Sequence, residues 1–156
     1  MGVAGSGKTT VGELLARELG WRFDDADAFH PPANVAKMSA GAPLTDAERA
    51  PWLAAIRRHL DDCLARGEPA VVTCSALKQH YRDVLLQSNP ATALVYLQGT
   101  REQLWARISA RQNHFMKPAM LDSQLAALEE PAAALVLNIA PPPTELVAAI
   151  RRALAL

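Results

Sequence analysis

Hydrophobic positions follow two alternating patterns along this chain of 156 residues. Short and nearly continuous apolar runs over residues 70–74, 93–97 and 135–139 are typical of parallel strands that are covered on both faces. Between these runs, apolar side chains recur every three or four residues, which is the spacing of one helical face. Strands that alternate with helices in this way predict an α/β fold, a parallel sheet with helices on both faces.

The helical pattern predicts seven helical segments of different lengths. One helix follows Thr9 and ends at Gly20, and one turn covers residues 34–38. Thr45 and Glu48 have the spacing of a capping box and predict the start of a longer helix that ends at Gly67. The buried face of that helix is predicted to carry Trp52, Ile56, Leu60 and Leu64. Further helices are expected over about 78–87, 101–111, 121–128 and 144–154.

The start of the chain carries the most specific motif. Residues 2–9 read G-V-A-G-S-G-K-T, the spacing of a phosphate-binding loop. The glycines allow the backbone to approach a ligand, and successive N–H groups at a helix start form an anion-binding nest. Lys8 is expected on the β- and γ-phosphates, and the Thr9 hydroxyl on Mg²⁺. The predicted nucleotide-binding residues are Gly2, Val3, Ala4, Gly5, Ser6, Gly7, Lys8, Thr9 and Thr10.

Composition narrows the class of protein further. Lys plus Arg and Asp plus Glu each total 16, so no global charge favours nucleic acid or a membrane surface. Cys63 and Cys74 match no metal-ligand spacing, and we expect two reduced thiols. The chain shows no signal-peptide pattern and no apolar stretch of about 18 residues. These observations predict a cytoplasmic protein of one domain over residues 1–156.

Two acidic residues follow the short apolar segment at residues 21–23, which we interpret as a further strand of the sheet. Asp25 and Asp27 would lie at the carboxyl ends of the strands, where open α/β sheets bind ligands. Carboxylates there can hold Mg²⁺ or accept the proton of an attacking hydroxyl, as phosphoryl transfer requires. An acidic turn that faces solvent is the alternative, and the neighbouring phosphate loop favours the catalytic reading.

Several longer strings resemble the gluconate kinases, small P-loop kinases that act on a sugar acid. They are D-A-D-A-F-H-P from Asp25, N-V-A-K-M from Asn34, G-A-P-L-T-D-A-E-R-A-P-W-L from Gly41, C-S-A-L-K-Q-H-Y-R-D from Cys74, and H-F-M-K-P-A-M-L-D-S-Q from His114. The resemblance extends over nearly the whole chain. It implies the P-loop kinase fold and the ATP- and Mg²⁺-dependent phosphorylation of D-gluconate at its 6-hydroxyl.

The resemblance also implies roles for individual residues. Lys8 and Thr9 would hold the triphosphate and Mg²⁺, and Asp25 would support the metal or take the hydroxyl proton. Asp27 would hydrogen-bond the substrate hydroxyls. An anionic substrate favours cations and forked donors, and the candidates are His30, Lys37, Arg49, Lys78 and Arg82, with Arg49 and Arg82 favoured because each lies inside a specific string.

Arg107 and Arg111 lie four residues apart and so on one helical face. In related small kinases this position leads into a mobile lid, here about residues 111–120, whose arginines stabilise charge on the transferring phosphoryl group. A solvated helix face is the alternative.

The chain departs from this pattern at its start, because only Met1 precedes Gly2. In this fold group a strand, usually the central one, leads into the phosphate loop. We therefore expect the first strand to be missing from this chain, and we hypothesise that Met1 is an internal methionine of a chain that begins about ten residues upstream. Ala26 is a smaller departure, since the family commonly has glycine there.

Three functions remain open on the sequence. The first is a gluconate kinase, for which the resemblance also implies a small-molecule substrate and leaves a homodimer open. The second is a small kinase for another anionic acceptor such as shikimate, because a similar D-x-D also occurs in shikimate kinases. The third is a truncated nucleotide-binding protein without turnover.

Overall fold

The computed structural model describes residues 1–86, 91–110 and 118–156, with the backbone alone at residues 118 and 119. Four strands are present in this part of the chain: β1 (Arg22–Asp25), β2 (Ala70–Thr73), β3 (Val95–Gln98) and β4 (Leu135–Asn138). β1 pairs with β2 and β3 with β4, both in parallel. The predicted parallel arrangement is therefore confirmed.

The helices lie between the strands in the predicted order. They are α1 (Lys8–Leu19), α2 (Pro32–Ser39), α3 (Asp46–Arg66), α4 (Gln79–Leu86), α5 (Arg101–Ser109), α6 (Pro118–Ala127) and α7 (Pro143–Leu154), with a 3₁₀ turn at Ala26–Phe29. The C-terminal ends predicted at residues 87 and 111 lie outside the described residues. α2 is longer than the single turn predicted, because Pro32 begins it at a position where a proline has no N–H to lose.

The ends of the helices follow the local sequence signals. Thr45 accepts a hydrogen bond from the Glu48 N–H while the Glu48 side chain accepts one from the Thr45 N–H, which confirms the capping box of α3. Gly20 and Gly67 end α1 and α3 in the left-handed conformation. Thr100 and Gln103 form a second capping box at α5, which the sequence analysis did not predict.

Two predictions of burial are wrong. Leu64 is 38% exposed, and the buried face of α3 turns instead to Cys63 as the helix leaves the sheet. β4 was expected to be covered on both faces, yet Val136 is 45% exposed. β4 has a neighbouring strand on one side, and alternate residues of such a strand face solvent when one face lacks a helix.

Apolar side chains pack into two clusters, one on each side of a gap between the strand pairs. The first cluster joins α1, α5 and α7 to β3 and β4, and the second joins α3 and α4 to β2. Helix α1 lies close to the β1–β2 pair at Gly12. A Cβ atom at Gly12 would lie 2.6 Å from Thr73 Cγ2 and 2.9 Å from Phe23 Cε2, so only glycine allows this approach.

The gap between β2 and β3 is an apolar cavity of about 480 Å³. Within residues 1–86, 91–110 and 118–156, no strand pairs with the facing edges of β2 and β3, and none precedes the phosphate loop. Met1 lies in the gap, where its amine donates to the Val95 carbonyl and its own carbonyl accepts from the Leu97 N–H at 3.0 Å. The two strand pairs are therefore separated by an apolar space in the described part of the chain.

None of the helices in the described ranges combines the length and apolar character that crossing a membrane requires.

Candidate active site

The phosphate loop lies where α1 meets α5. Gly7 is the N-cap of α1 with a φ of 89°, and Gly5 has a φ of 80°. A Cβ atom at Gly5 would lie 2.8 Å from the Leu104 carbonyl oxygen and 2.9 Å from Ile108 Cγ1. The loop is thus held tightly against α5 in a conformation that glycine permits, with the first N–H groups of α1 directed outward.

Side chains of the loop leave polar groups for a ligand. Val3 and Ser6 are buried, and Thr9 and Thr10 are exposed on the first turn of α1. The Lys8 ammonium donates to the Val3 carbonyl at 3.1 Å and so lies over the loop itself. The Ser6 hydroxyl is fully buried and finds no hydrogen-bond partner in the described structure. A polar atom of this kind, beside a helix start, fits a site for a phosphate group.

Thr9 and Asp25 come together at the edge of the loop, although 15 residues separate them in the sequence. The Thr9 hydroxyl donates to Asp25 Oδ2 at 3.1 Å, and Asp25 Oδ1 accepts from the Asp27 N–H at 3.1 Å. A hydroxyl and a carboxylate are oxygen donors of the type that Mg²⁺ prefers, and Mg²⁺ commonly takes one or two protein ligands with water and phosphate. These two residues fit a magnesium site. The described residues contain no cluster of three or more metal-ligating side chains.

A second group of side chains lies beyond Asp27, on the 3₁₀ turn and α3. The imidazole of His30 stacks on Trp52 with ring centroids 4.3 Å apart, and the Trp52 indole N–H donates to the Ala26 carbonyl at 2.7 Å. Burial lowers the pKa of His30, against an opposing effect of Asp27 and with a further lowering by Arg49. His30 Nδ1 is buried without a hydrogen-bond partner in the part described. The imidazole of His30 thus packs on Trp52 beside Asp27 and Arg49 with its Nδ1 shielded from solvent.

Arg49 and Lys78 meet around the ring of Tyr81. The Arg49 guanidinium carbon lies 5.8 Å and Lys78 Nζ 5.6 Å from the ring centroid. Lys78 Nζ donates to both carboxylate oxygens of Asp46, at 2.8 and 2.9 Å, and the Tyr81 hydroxyl also donates to Asp46. Both donors lower the pKa of Asp46. Among the residues described, no carboxylate lies within ion-pair distance of Arg49, so its charge is available to an anion.

Two of the predicted cations are engaged elsewhere. Lys37 donates to both carboxylate oxygens of Glu48, at 2.7 and 2.8 Å, and so stabilises the capping box of α3. Arg82 is 2% exposed, and its guanidinium donates to the carbonyls of Ala76 and Leu77 at 3.0 Å each. That Arg82 contacts the substrate stays a prediction; in this structure its buried guanidinium satisfies the turn after β2, where Ala76 has a φ of 44°.

Arg107 reaches from α5 toward the phosphate loop. Its guanidinium donates to the Ile139 carbonyl, and Nη1 would lie 3.5 Å from a Cβ atom at Gly7. This arginine is therefore close to the residue that caps α1. Arg111 and most of the predicted lid, residues 111–117, lie outside the described residues.

Gln124 is a contact of the loop that the sequence analysis did not predict. Its Oε1 accepts from the Ala4 N–H at 2.7 Å, which ties α6 to the phosphate loop across 120 residues. Asp46 and Tyr81, which orient Lys78, were also missed. All three lie inside the specific strings given above, but a string marks a segment and does not say which of its side chains make contacts.

The arrangement can bind a phosphate chain and a cation beside an acceptor pocket. Asp25 contacts Thr9 on one side and the Asp27 N–H on the other, and Asp27 and Arg49 both lie near enough to His30 to shift its pKa. A hydroxyl compound that is bound at the second group would face the terminal phosphate across Asp25 and Asp27. Such a geometry suits phosphoryl transfer to a small anionic alcohol.

Comparison with known proteins places this site among small kinases. A family model described as "Shikimate kinase" matches residues 4–137. A gluconokinase of Gluconobacter oxydans is 50% identical over 131 residues, which are 84% of this chain and 74% of that protein. The crystal structure of a gluconokinase from Sinorhizobium meliloti is 46% identical with a TM-score of 0.88, and it covers 99% of this chain and 89% of that one. An unliganded sugar kinase from Janibacter is 44% identical with a TM-score of 0.91, over 99% and 91% of the two chains.

Proposed function

The chain belongs to the gluconokinases, within the family that the shikimate kinase model describes, and from that premise we propose that it transfers the γ-phosphoryl group of ATP to the 6-hydroxyl of D-gluconate. As a member of this family it is a phosphotransferase. The observation that carries the proposal is the Thr9–Asp25 hydrogen bond, which joins the phosphate loop to a carboxylate at the end of β1.

The nucleotide side of the site uses the loop and α1. The N–H groups of residues 2–10 and the Lys8 ammonium hold the phosphate chain. Thr9 and Asp25 hold Mg²⁺, which when bound neutralises charge on the β- and γ-phosphates. Arg107 is in position to stabilise charge on the transferring group, and the family pattern adds Arg111 and a lid over about residues 111–120.

The acceptor side uses the charges that the structure leaves available. Arg49 is the strongest candidate for the gluconate carboxylate, because Lys37 is paired with Glu48, Lys78 with Asp46, and Arg82 is buried. Lys78 contributes positive potential near the same ring of Tyr81. A planar guanidinium also matches a carboxylate through two parallel hydrogen bonds.

The hydroxyl groups of gluconate would be bound by Asp27 and His30. Both oxygens of Asp25 already accept hydrogen bonds, one from Thr9 at the loop and one from the Asp27 N–H, which favours its metal role over its role as a base. The exposed carboxylate of Asp27 is then the acceptor for the proton that leaves the 6-hydroxyl. His30 is neutral near pH 7 and can donate or accept one hydrogen bond to the polyol without adding charge.

The test is ADP release from Mg·ATP with D-gluconate, and with shikimate as the control acceptor. Turnover of gluconate with no turnover of shikimate supports the proposal. Binding of ATP with turnover of shikimate and not of gluconate would assign the acceptor pocket to a different acid. Binding of ATP with no turnover of either acceptor would favour the nucleotide-binding reading.

Arg49→Lys tests the carboxylate contact within the same assay. We expect the KM for gluconate to rise roughly 10-fold or more while the KM for ATP stays unchanged, because the charge remains and the fork is lost. Arg58→Lys, an exposed position on the same helix, is the matched control. With sorbitol, the alcohol that lacks the carboxylate, the two variants should behave alike, and an equal loss with both acceptors would show that Arg49 does not read the carboxylate.

The remaining parts of the proposal concern the setting of the enzyme. We place it in the cytoplasm, where ATP is present, and its two cysteines are free as expected there. A single domain over residues 1–156 and a homodimer are consistent with the family pattern and are open to measurement by light scattering.

A further inference from the structure

The carboxylate of Asp46 joins the start of α3 to the segment that leads into α4. Lys78 Nζ donates to both of its oxygens, at 2.8 and 2.9 Å, and the Tyr81 hydroxyl donates to Oδ1. His80 Nε2 lies 3.9 Å from Oδ2 of the same carboxylate. The side chains of Asp46 and Lys78 are 52% and 31% exposed, so this ion pair lies at a rim that solutes can reach. Asp46 therefore orients Lys78 and neutralises its charge.

Charged groups from two elements surround the ring of Tyr81. The Arg49 guanidinium carbon lies 5.8 Å and Lys78 Nζ 5.6 Å from the ring centroid, while Asp46 accepts from the ring hydroxyl. The Tyr81 hydroxyl responds to all of them: burial raises its pKa most, the hydrogen bond to Asp46 raises it further, and Arg49 and Lys78 lower it. Two cations and one carboxylate leave one net positive charge around the ring.

The same charges border the pocket for the acceptor. Burial lowers the pKa of His30 most, and Arg49 lies near enough to lower it as well. Lys37, a further cation of this region, is paired with a carboxylate of its own. In the described part of the pocket, the charge that an acid meets is therefore set by Arg49, Lys78 and Asp46 together.

We propose that Asp46 determines how many negative charges the acceptor can carry, a role that rests on the function proposed above. With Lys78 neutralised, the pocket presents the single charge of Arg49, which matches one carboxylate. A second negative charge at the same position, as in a phosphate monoester, would find no further cation among the residues described and would still lose water on binding. Without the Asp46 carboxylate, Lys78 would supply that cation. Asp46 acts through Lys78 and is thus a positioning residue that sets specificity.

Two acceptors that share the 6-hydroxyl and differ in charge at the other end test this role. Gluconate carries one negative charge, and sorbitol 1-phosphate carries two at about pH 8, where imidazole groups are largely neutral. For Asp46→Asn, we expect the ratio of kcat/KM for sorbitol 1-phosphate to that for gluconate to rise roughly 3- to 10-fold, because the freed ammonium attracts two charges more than one. Asp46→Glu keeps the carboxylate and should hold the ratio within about twofold of the unmodified chain.

Controls separate the effect of charge from a merely structural role. Asp62→Asn removes the same charge from an exposed position of α3 and should not move the ratio. At about 0.5 M salt the rise in Asp46→Asn should shrink, since salt screens exposed charges. When Asp46→Asn is combined with Lys78→Gln the rise should disappear, because the freed ammonium is gone. Lys78→Gln alone should lower the ratio, and this variant keeps the inference testable if Asp46→Asn does not fold.

The outcomes distinguish this inference from the function on which it rests. No ADP release from Mg·ATP with gluconate by the unmodified chain would overturn both. Turnover of gluconate, with an unchanged ratio in Asp46→Asn and in Lys78→Gln, would overturn the inference alone. An equal loss for both acceptors in Asp46→Asn and in Asp46→Glu would assign Asp46 to the packing of α3 against α4 and would overturn the inference as well.

Discussion

The buried N-terminal amine gives the 156-residue chain a stability that rises with pH. The Met1 amine lies at the mouth of the apolar cavity and donates to the Val95 carbonyl. Burial, and after it the charge of Lys8, lower its pKa from 8.0 to about 5. In the unfolded chain the amine returns to its ordinary value, so the two states bind different numbers of protons between these values.

The sign follows from which state holds the proton. Between about pH 5 and pH 8 the unfolded chain is protonated at the amine and the folded chain is not, so stability rises with pH. Below pH 5 both states are charged and the full cost of burying the ammonium is present. Above pH 8 both states are neutral and the cost is absent. Because one pKa unit corresponds to about 1.36 kcal/mol, the total difference is up to about 4 kcal/mol.

Acetylation of the Met1 amine removes this titration while keeping an N–H that can donate to Val95. Urea unfolding of both chains, followed by tryptophan fluorescence at several values between pH 5 and pH 8.5, measures the difference, and intact mass verifies Met1 and the acetyl group. His30, whose pKa is also lowered, contributes in the same direction in both chains and cancels from the comparison. An acetylated chain with the same rise in stability as the free-amine chain would refute the reasoning.

Three substitutions test other contacts. Gln124→Met removes the acceptor of the Ala4 N–H. We expect the KM for ATP to rise roughly 3- to 10-fold, while the free energy of unfolding falls by less than about 1.5 kcal/mol. An unchanged KM would mean that this contact does not shape the loop. Arg82→Met leaves two buried carbonyls without donors and should cost about 2–5 kcal/mol in urea unfolding, whereas a loss below 1 kcal/mol, on the order of one hydrogen bond, would argue for a solvated guanidinium. Gly12→Ala should lower the free energy of unfolding by about 1–3 kcal/mol, although alanine is the better helix former, because its Cβ atom would clash with Thr73. Calorimetry of this variant is compared with Glu13→Ala, a control at an exposed position of the same helix.

Local patterns in the sequence were sufficient wherever neighbouring residues decide the structure. The capping box of α3 and the left-handed Gly20 and Gly67 depend on a few adjacent residues, and the structure confirms each of them. The strands over residues 70–74 and 135–139 were found within one residue, because apolar runs of that length are typical of strands, although one face of β4 is exposed. The phosphate loop was recognisable because its chemistry requires fixed residue types at fixed spacing.

The site required the tertiary structure, because its members come from distant parts of the chain. The sequence indicated His30, Lys37, Arg49, Lys78 and Arg82 as candidates for an anion and favoured Arg49 and Arg82 only because each lies inside a specific string. Only the fold shows which of these charges are already neutralised by a carboxylate or buried against carbonyl groups, and which remain available.

What the sequence determined by itself is the order of elements, the phosphate loop and the family, since these depend on local periodicity and on strings of adjacent residues. The tertiary structure decided the pairing of charges, the contact of Gln124 with the loop and the shape of the space between β2 and β3. These features depend on which residues come into contact across 11 to 120 positions of sequence, from Lys37 and Glu48 to Ala4 and Gln124. Hydrophobic periodicity carries no information about such tertiary contacts, because it shows only which face of a helix or strand is apolar.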